Sequence, residues 1–459
     1  MRTRNEQLRR DLAALLRKGP SGARALAERL EVSPRTVLRL LGELGDACCS
    51  GGAAGRTRYA LNRMVRGIHR RLPLYAVDEA GRLQDEATLQ LIEPQGCLCA
   101  LSGSRWPVAD ESRDGWWGGL PYPLYDMQPQ GYLGRQLARA AHVELEVPED
   151  PRRWDDETIV FVLSRRGADV SGNLILGERS ALAWQRELLD EVEPLSSARL
   201  AEAYCELADR SASLGVAGSS AAGEFPKFTT MRDGGQQTPH VIVKFSAAGD
   251  AGRRWADLLV CEYLALEAAA TLPGVAVASS RLLQAGGRTF LESERFDRVG
   301  RFGRRAFVSL QSLSAHLLGL GVSDWRIHAQ ALADQGFVDA AALAAVERLW
   351  CFGRLIANGD MHLGNLGFLP RGDGGLAVAP AYDMLPMSFA PLAGGEIPTL
   401  IWQPPLPLPA ELGVWGEVAG AAIRFWRQAA GDGRISPEFR SICADNAVKV
   451  ERIAERLLP

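Results

Sequence analysis

Three side chains in the last quarter of the sequence have types and spacing suited to phosphate chemistry. Asp360 and Asn365 lie in Gly359-Asp360-Met361-His362-Leu363-Gly364-Asn365, and Asp383 follows 18 residues later in Ala381-Tyr382-Asp383-Met384. Two carboxylates and an amide offer oxygen ligands of the type Mg²⁺ takes around bound phosphates. A further candidate is Lys244, a single charge inside the apolar run Val241-Ile242-Val243-Lys244-Phe245. The chain fills 48 of its 52 basic positions with arginine and keeps lysine only at 18, 227, 244 and 449. A compact ammonium meeting phosphate oxygens is one reason to prefer lysine, which singles out Lys244 and, beside it, Lys227. Upstream, Gly218-Ser219-Ser220-Ala221-Ala222-Gly223 removes side-chain bulk, so backbone N–H groups there could approach phosphate oxygens. It is not a Walker A loop, because Glu224 follows Gly223 where that motif has lysine.

The elements around these residues fall in a telling order. Asp360 follows an apolar helix, Leu349 to Ile356, and Asp383 follows a strand-like Leu376 to Ala379. The D-x-x-x-x-N spacing of Asp360 and Asn365 is that of a kinase catalytic loop, in which the aspartate accepts a hydroxyl proton and the asparagine holds Mg²⁺. Asp383 stands in the slot of the second metal-binding aspartate. His362 reads as either a loop residue or a base. Lys244 sits like the lysine of the β3 strand of kinase-type ATP sites. On the helix from Trp255 to Thr271, Glu262 is either its ion-pair partner or part of a solvated face. The strand around Thr289 to Leu291 leads into Glu294-Arg295-Phe296-Asp297-Arg298, where a two-lobed kinase has the hinge that reads adenine.

A different chemistry opens the chain. Residues 1–71 hold 16 Lys and Arg against 6 Asp and Glu, a surplus of ten that the remainder reverses to −13, for a net −3. A basic head on an acidic body points to two jobs and a polyanion for the first. Leu8, Leu12, Leu15 and Leu16 have helical spacing; Ser21 and Ser33-Pro34 read as caps of two more helices. The third turns Val37, Leu40, Leu41 and Leu44 inward and Arg35, Thr36 and Arg39 outward. Arg56 to Leu61 then alternates like a strand, a wing that would lay Arg56 and Arg58 on backbone phosphates. The pattern predicts a winged helix-turn-helix over residues 1–66 that binds DNA, its third helix in a major groove. A small helical protein-docking module shares the same helical pattern.

Between these ends the signal is weaker. Leu72 to Tyr75 and Thr158 to Leu163 read as strands, Gly118 to Tyr132 as an ordered irregular segment, and 186–212 as helix. The eight cysteines include no C-x-x-C pair, which argues against a zinc ribbon or thioredoxin-type site. Their scatter fits buried thiols of a reduced cytoplasm. The polar N-terminus carries no signal peptide, and the apolar stretch Leu258 to Ala278 holds Glu262 and Glu267, so a soluble cytoplasmic protein without membrane contact is expected.

Taken with these motifs, the chain from about residue 75 to 459 resembles the HipA family of bacterial serine/threonine kinase toxins, particularly the YjjJ-like branch with a fused N-terminal helix-turn-helix. The segment Ser220-Ala221-Ala222-Gly223-Glu224-Phe225-Pro226-Lys227 matches that family's S-x-x-G-x-x-P-K. Glu294 to Arg298 matches its E-R-F-D-R, and Asp360, His362 and Asn365 its D-x-H-x-x-N. The resemblance implies an α+β fold with a two-lobed, kinase-like body behind the winged head. Its parts would be a HipA-like N-terminal subdomain at 73–185, an N-lobe at 186–298 and a mostly helical C-lobe at 299–459. It implies ATP and Mg²⁺ as cofactors, Lys244 as the ATP lysine, Glu294 and Phe296 as adenine contacts, and Asp383 as the metal aspartate. It also implies autophosphorylation of Ser220, with Ser219 beside it, and a protein serine as acceptor, such as that of an aminoacyl-tRNA synthetase. Met361 and Gly364 replace a glycine and a lysine of the best-known member. That member takes its DNA-binding function from a separate antitoxin, so this fused head bears on whether an antitoxin partner is needed. A two-fold DNA site would imply a homodimer. Two other readings stand beside this one: a small-molecule phosphotransferase, since G-D-x-H-x-x-N also occurs there, and a transcription regulator whose body senses nucleotide. A metal-dependent nuclease is a remoter fourth.

Overall fold

The computed structural model describes residues 2–67, 71–101, 105–128, 131–190, 192–214, 225–392 and 394–457. Gly218, Ser219, Ser220 and Gly223 lie outside the described residues.

At the N-terminal end, helices Arg2–Leu16, Ala23–Arg29 and Pro34–Leu44 gather Leu12, Leu16, Leu26, Val37, Leu40 and Leu41 into a small core. Ser33 caps the third helix as its sequence suggests. Its Oγ accepts the Thr36 N–H at 3.2 Å, and Pro34 follows in the first turn. Ser21 does not cap the second. It pairs in a short strand, Ser21–Gly22, against Arg58–Leu61, and Gly22 takes the cap position without a side-chain bond. The strand order is Ser21–Gly22, Arg58–Leu61, Cys48–Gly51.

This hairpin docks on the next unit. The Arg63 N–H donates to the Leu91 carbonyl at 2.8 Å and the Glu93 N–H to that of Leu61 at 2.9 Å. Cys49, Ala60, Ile92, Leu98 and Trp116 bury one another across the junction. Gly51 fits there because it lacks a side chain: a Cβ would stand 2.5 Å from Leu98 Cδ1.

The middle unit is a five-stranded antiparallel sheet in the order Trp116–Trp117, Cys97–Leu98, Leu83–Leu91, Leu72–Val77, Leu174–Leu176. The expected strand at Thr158 to Leu163 is instead the interior of helix Asp156–Arg166. Asp155 caps it, with Oδ1 accepting the Thr158 N–H at 2.8 Å and hydroxyl at 2.6 Å. Acidic residues fill its first turn and Arg165 and Arg166 its last. Residues 158–164 are all buried, so no polar face marks a helical period, and burial overrides their strand propensity. The run Gly118 to Tyr132 likewise contains a helix, Tyr122–Met127. The helix expected across 186–212 is two, Glu178–Leu189 and Leu200–Leu214. Between them Pro194, which lacks an amide proton and disfavours helix at the residue before it, breaks the run.

Beyond lies a four-stranded antiparallel sheet ordered Ser280–Ala285, Arg288–Glu294, His240–Phe245, Lys227–Met231, with helix Arg253–Ala269 packed against it. The remainder is mainly helical: Trp325–Asp334, Ala340–Leu355, Leu412–Gly431 and Pro437–Leu457. A small sheet joins Val308–Ser309 to Gly367–Pro370 and Leu376–Val378, two strands that follow the Asp360–Asn365 segment and lead on to Asp383. One continuous hydrophobic core runs from the middle sheet into the C-terminal helices. Among the described residues no helix is long and apolar enough to cross a membrane. All eight cysteines are unpaired by disulfide.

Candidate active site

The antiparallel register sets Lys244 between Lys227 on one neighbouring strand and Leu291 on the other. Its side chain is buried, and Nζ donates to Glu262 Oε1 and Oε2 at 2.6 and 2.8 Å. It pairs also with Asp383 Oδ1, and the Phe225 ring lies 5.7 Å away. Glu262 is therefore the partner of Lys244 and not part of a solvated face; it is 2% exposed. Burial works against the Lys244 charge, but Asp383 and Glu262 overcome it and hold its pKa above the ordinary value. Burial also opposes the Asp383 carboxylate, yet Lys244 and then Lys227 bring its pKa down to about 2. Glu262 goes the other way: burial raises it, and Lys244 offsets only part of that.

Below this triad the chain turns tightly. Asp383 itself has φ 53°, in the left-handed region. Ala381 on its N-terminal side bridges to the upper sheet's approach: its N–H donates to the Ala276 carbonyl at 2.8 Å, and its own carbonyl accepts from the Ala278 N–H at 3.0 Å. The loop beginning at Asp360 is closed by its own side chains. Asn365 Nδ2 donates to the Asp360 carbonyl at 2.8 Å, and His362 Nδ1 accepts the Gly364 N–H at 3.0 Å. Trp325 Nε1 donates to the His362 carbonyl at 3.1 Å, and the Tyr382 hydroxyl to that of Gly364 at 2.8 Å. The Asp360 carboxylate is half exposed, with His362 Nε2 3.9 Å from Oδ1. His362 thus shapes the turn and stands beside the carboxylate.

With the Asn365 nitrogen held by the loop, its amide oxygen is the atom with the chemistry to face a cation. Asp383 and Asn365 together are hard oxygen donors in the small number Mg²⁺ takes when phosphates and water complete its shell, so the residues present fit that ion.

The hinge segment's side chains are engaged within the protein. The Glu294 carboxylate accepts from Arg232 at 3.1 Å and from the backbone N–H groups of Gln236 and Gln237 at 2.8 and 3.3 Å, pinning a neighbouring turn. Phe296 lies beside the site, its ring 5.7 Å from that of Tyr382 and 5.6 Å from that of Phe307. Sequence reasoning missed what Arg295, Asp297 and Arg298 do. Arg295 and Arg298 both reach Asp169 of the middle unit, at 2.9 and 2.7 Å, and Asp297 accepts the Gly172 N–H at 2.9 Å. Burial opposes the Asp297 charge, but Arg295 and Arg298 hold its pKa down at about 2. A second tether joins Asp126 of the middle unit to the Ser309 N–H and hydroxyl at 2.8 and 2.6 Å. The density of charge in Glu294 to Arg298 was the available signal for the first; the second had none.

In the basic head Arg35, Thr36 and Arg39 share one helix. Arg39 pairs with Glu43 and donates to Asn5 at 2.8 Å. Arg56 and Arg58 turn toward the middle unit: Arg56 is 3.3 Å from Asp114, and the Arg58 guanidinium lies 5.2 Å from the Trp116 ring centre.

The buried Lys244–Glu262 pair, the D-x-x-x-x-N loop and Asp383 all fall in a stretch that matches a HipA-like domain. The HipA-like C-terminal domain model matches residues 219–442, and the YjjJ-like toxin middle domain model matches residues 68–185. A chain of the solved complex of Shewanella oneidensis MR-1 HipA, HipB and operator DNA has the same fold, with TM-score 0.50 and 15% identity over 84% of this chain and 97% of that one. The chain belongs to the YjjJ-like toxin family: it is 34% identical over 449 residues to Toxin YjjJ of Escherichia coli (strain K12), covering 97% of this chain and 98% of that protein.

Proposed function

We propose that the protein is a toxin kinase that transfers the γ-phosphate of ATP to a serine of a target protein. The observation carrying this reading is the buried Lys244, bonded at once to Glu262 and Asp383. Positioning and charge stabilisation do most of the catalysis in phosphoryl transfer. Lys244 would offer its ammonium to the phosphates, oriented by Glu262, and Lys227 would add charge from the adjacent strand. Phe296 would line the nucleotide's base, and backbone N–H groups of Gly218 to Gly223, outside the described residues, would bind its phosphates. Asp383 and the Asn365 amide oxygen would hold Mg²⁺, which when bound neutralises charge on the transferring phosphate. The half-exposed Asp360 carboxylate would orient the acceptor hydroxyl and take its proton.

Residues 1–66 would be a winged helix-turn-helix DNA-binding head. Arg35 and Arg39, exposed on one helix beside the half-buried Thr36, support it. Arg56 and Arg58 contribute less, because they already contact Asp114 and Trp116. The HipA complex noted above contains HipB and operator DNA; by analogy an antitoxin partner and a two-fold operator, with a homodimer bound to it, belong to this proposal. Ser220 would be the autophosphorylated residue. Incubating the purified protein with Mg²⁺ and ATP and mapping its phosphopeptides tests the reading. A phosphopeptide containing Ser220 supports a protein kinase. Phosphorylation of small amines or alcohols alone would favour a small-molecule phosphotransferase.

A further inference from the structure

One buried amide touches the backbone of both aspartates of the site. Asn358 follows the helix Ala340–Leu355, after Ala357 turns the chain at φ 59°. Its Oδ1 accepts the Asp360 N–H at 3.0 Å, and its Nδ2 donates to the Asp383 carbonyl at 3.2 Å. The side chain is nearly buried, at 9% exposure. Among uncharged side chains a primary amide alone presents an acceptor and two donors on one short planar group, so it can bridge two backbones in this way. The turn it leaves is itself held: the Ala357 carbonyl accepts the Ser388 N–H at 3.1 Å, and a Cβ at Gly359 would stand 2.9 Å from Ser388 Oγ. Asp383 needs such a restraint. A non-glycine residue in the left-handed region persists when its surroundings over-determine it. Ala381 anchors the chain on one side of Asp383, and Asn358 holds the Asp383 carbonyl itself.

We propose that Asn358 is a positioning residue that sets Asp383 and Asp360 at a fixed separation, so that the metal-binding carboxylate and the proton-accepting carboxylate face one substrate. This deepens the kinase reading and rests on it. The consequence is specific: losing the amide degrades the metal-dependent part of nucleotide binding and the turnover, and leaves the metal-independent part, which belongs to Lys244 and the upper sheet.

The test uses the full chain as wild type, Asn358→Ala and Asn358→Asp. The aspartate variant keeps an acceptor for the Asp360 N–H and sets an oxygen against the Asp383 carbonyl; the alanine variant loses both bonds. Binding of a fluorescent ATP analogue is measured in EDTA and across a Mg²⁺ titration, and kcat and KM for ATP are measured in parallel. Each buried bond lost is expected to cost about tenfold. Binding in EDTA should match wild type, which also verifies folding. The Mg²⁺ concentration for half-maximal tightening should rise about tenfold in both variants. kcat should fall about tenfold in Asn358→Asp and about 100-fold in Asn358→Ala, with little change in KM. Wild-type Mg²⁺ dependence in both variants overturns the proposal, and so does an equal loss of binding with and without Mg²⁺, which marks a merely structural residue. If wild type binds nucleotide in a Mg²⁺-dependent way and transfers no phosphate, the kinase reading fails, while the Mg²⁺ titration still decides the role of Asn358.

Discussion

Replacing Lys244 by methionine keeps the apolar stem and deletes the one charge shared by Glu262 and Asp383. Two carboxylates, one of them 2% exposed, then face each other with only the more distant charge of Lys227 to offset them. Removing one partner of a buried ion pair costs about 3–5 kcal/mol. The Glu262 pKa already lies above its usual range, so this carboxyl can take up a proton and bring the loss toward the lower end. The pH dependence has a definite sign. In the wild type the Asp383 pKa lies at about 2, below its ordinary 3.8, so its pairing stabilises the fold fully above pH 4 and is lost as pH falls toward 2. That shift corresponds to about 2 kcal/mol. The Lys244 pKa is raised above its ordinary 10.5, so the same pair persists through neutral pH and is lost only as alkali deprotonates the lysine. Glu262 acts oppositely, costing stability above its ordinary pKa. Denaturant unfolding of Lys244→Met should therefore show a loss of about 3 kcal/mol at pH 7 that shrinks at pH 5. Adding Glu262→Gln should restore part of it. A loss below about 1 kcal/mol that does not vary with pH would refute the buried triad.

Further outcomes follow from the tethers and the head. Asp169→Asn weakens the pairing of Arg295 and Arg298 and should raise KM for ATP about tenfold with kcat retained, measured by steady-state kinetics. Arg35→Ala should weaken DNA binding uniformly and lower the salt slope by about one, read by titration at several salt concentrations; Arg58→Ala should change it less. Gly51→Ala forces a Cβ against Leu98 and should loosen the head from the middle sheet by about 1–3 kcal/mol, seen as faster proteolysis near residue 52.

Much of the site was legible in the chain because its chemistry is local or tied to composition. Asp360, His362 and Asn365 sit within six residues, and the scarcity of lysine drew attention to Lys244 before any partner was known. The pairing of Lys244 with Asp383 joins residues far apart in sequence, and the order of motifs alone brought them together. Asn358 left no trace, since an asparagine after an apolar helix reads as an ordinary helix end. The tether from Asp126 was equally silent, and that from Asp169 showed only as dense charge in Glu294 to Arg298, because a carboxylate's partner across two units has no period or spacing. The misread strand at Thr158 to Leu163 has the opposite cause: a helix buried on every side loses the polar face by which a sequence announces it. Glu294 shows that a motif can sit in the expected place while its side chain holds a neighbouring turn.

The central claim is that Asp360 accepts the proton in a transfer of phosphate from ATP. Labelling whole-cell extract with γ-labelled ATP, Mg²⁺ and either wild type or Asp360→Ala tests it most directly, with ATP-analogue binding measured on the same preparations. Wild type should label itself and a discrete protein acceptor, and Asp360→Ala should bind nucleotide as well as wild type and label nothing. Equal labelling by both proteins would contradict the account.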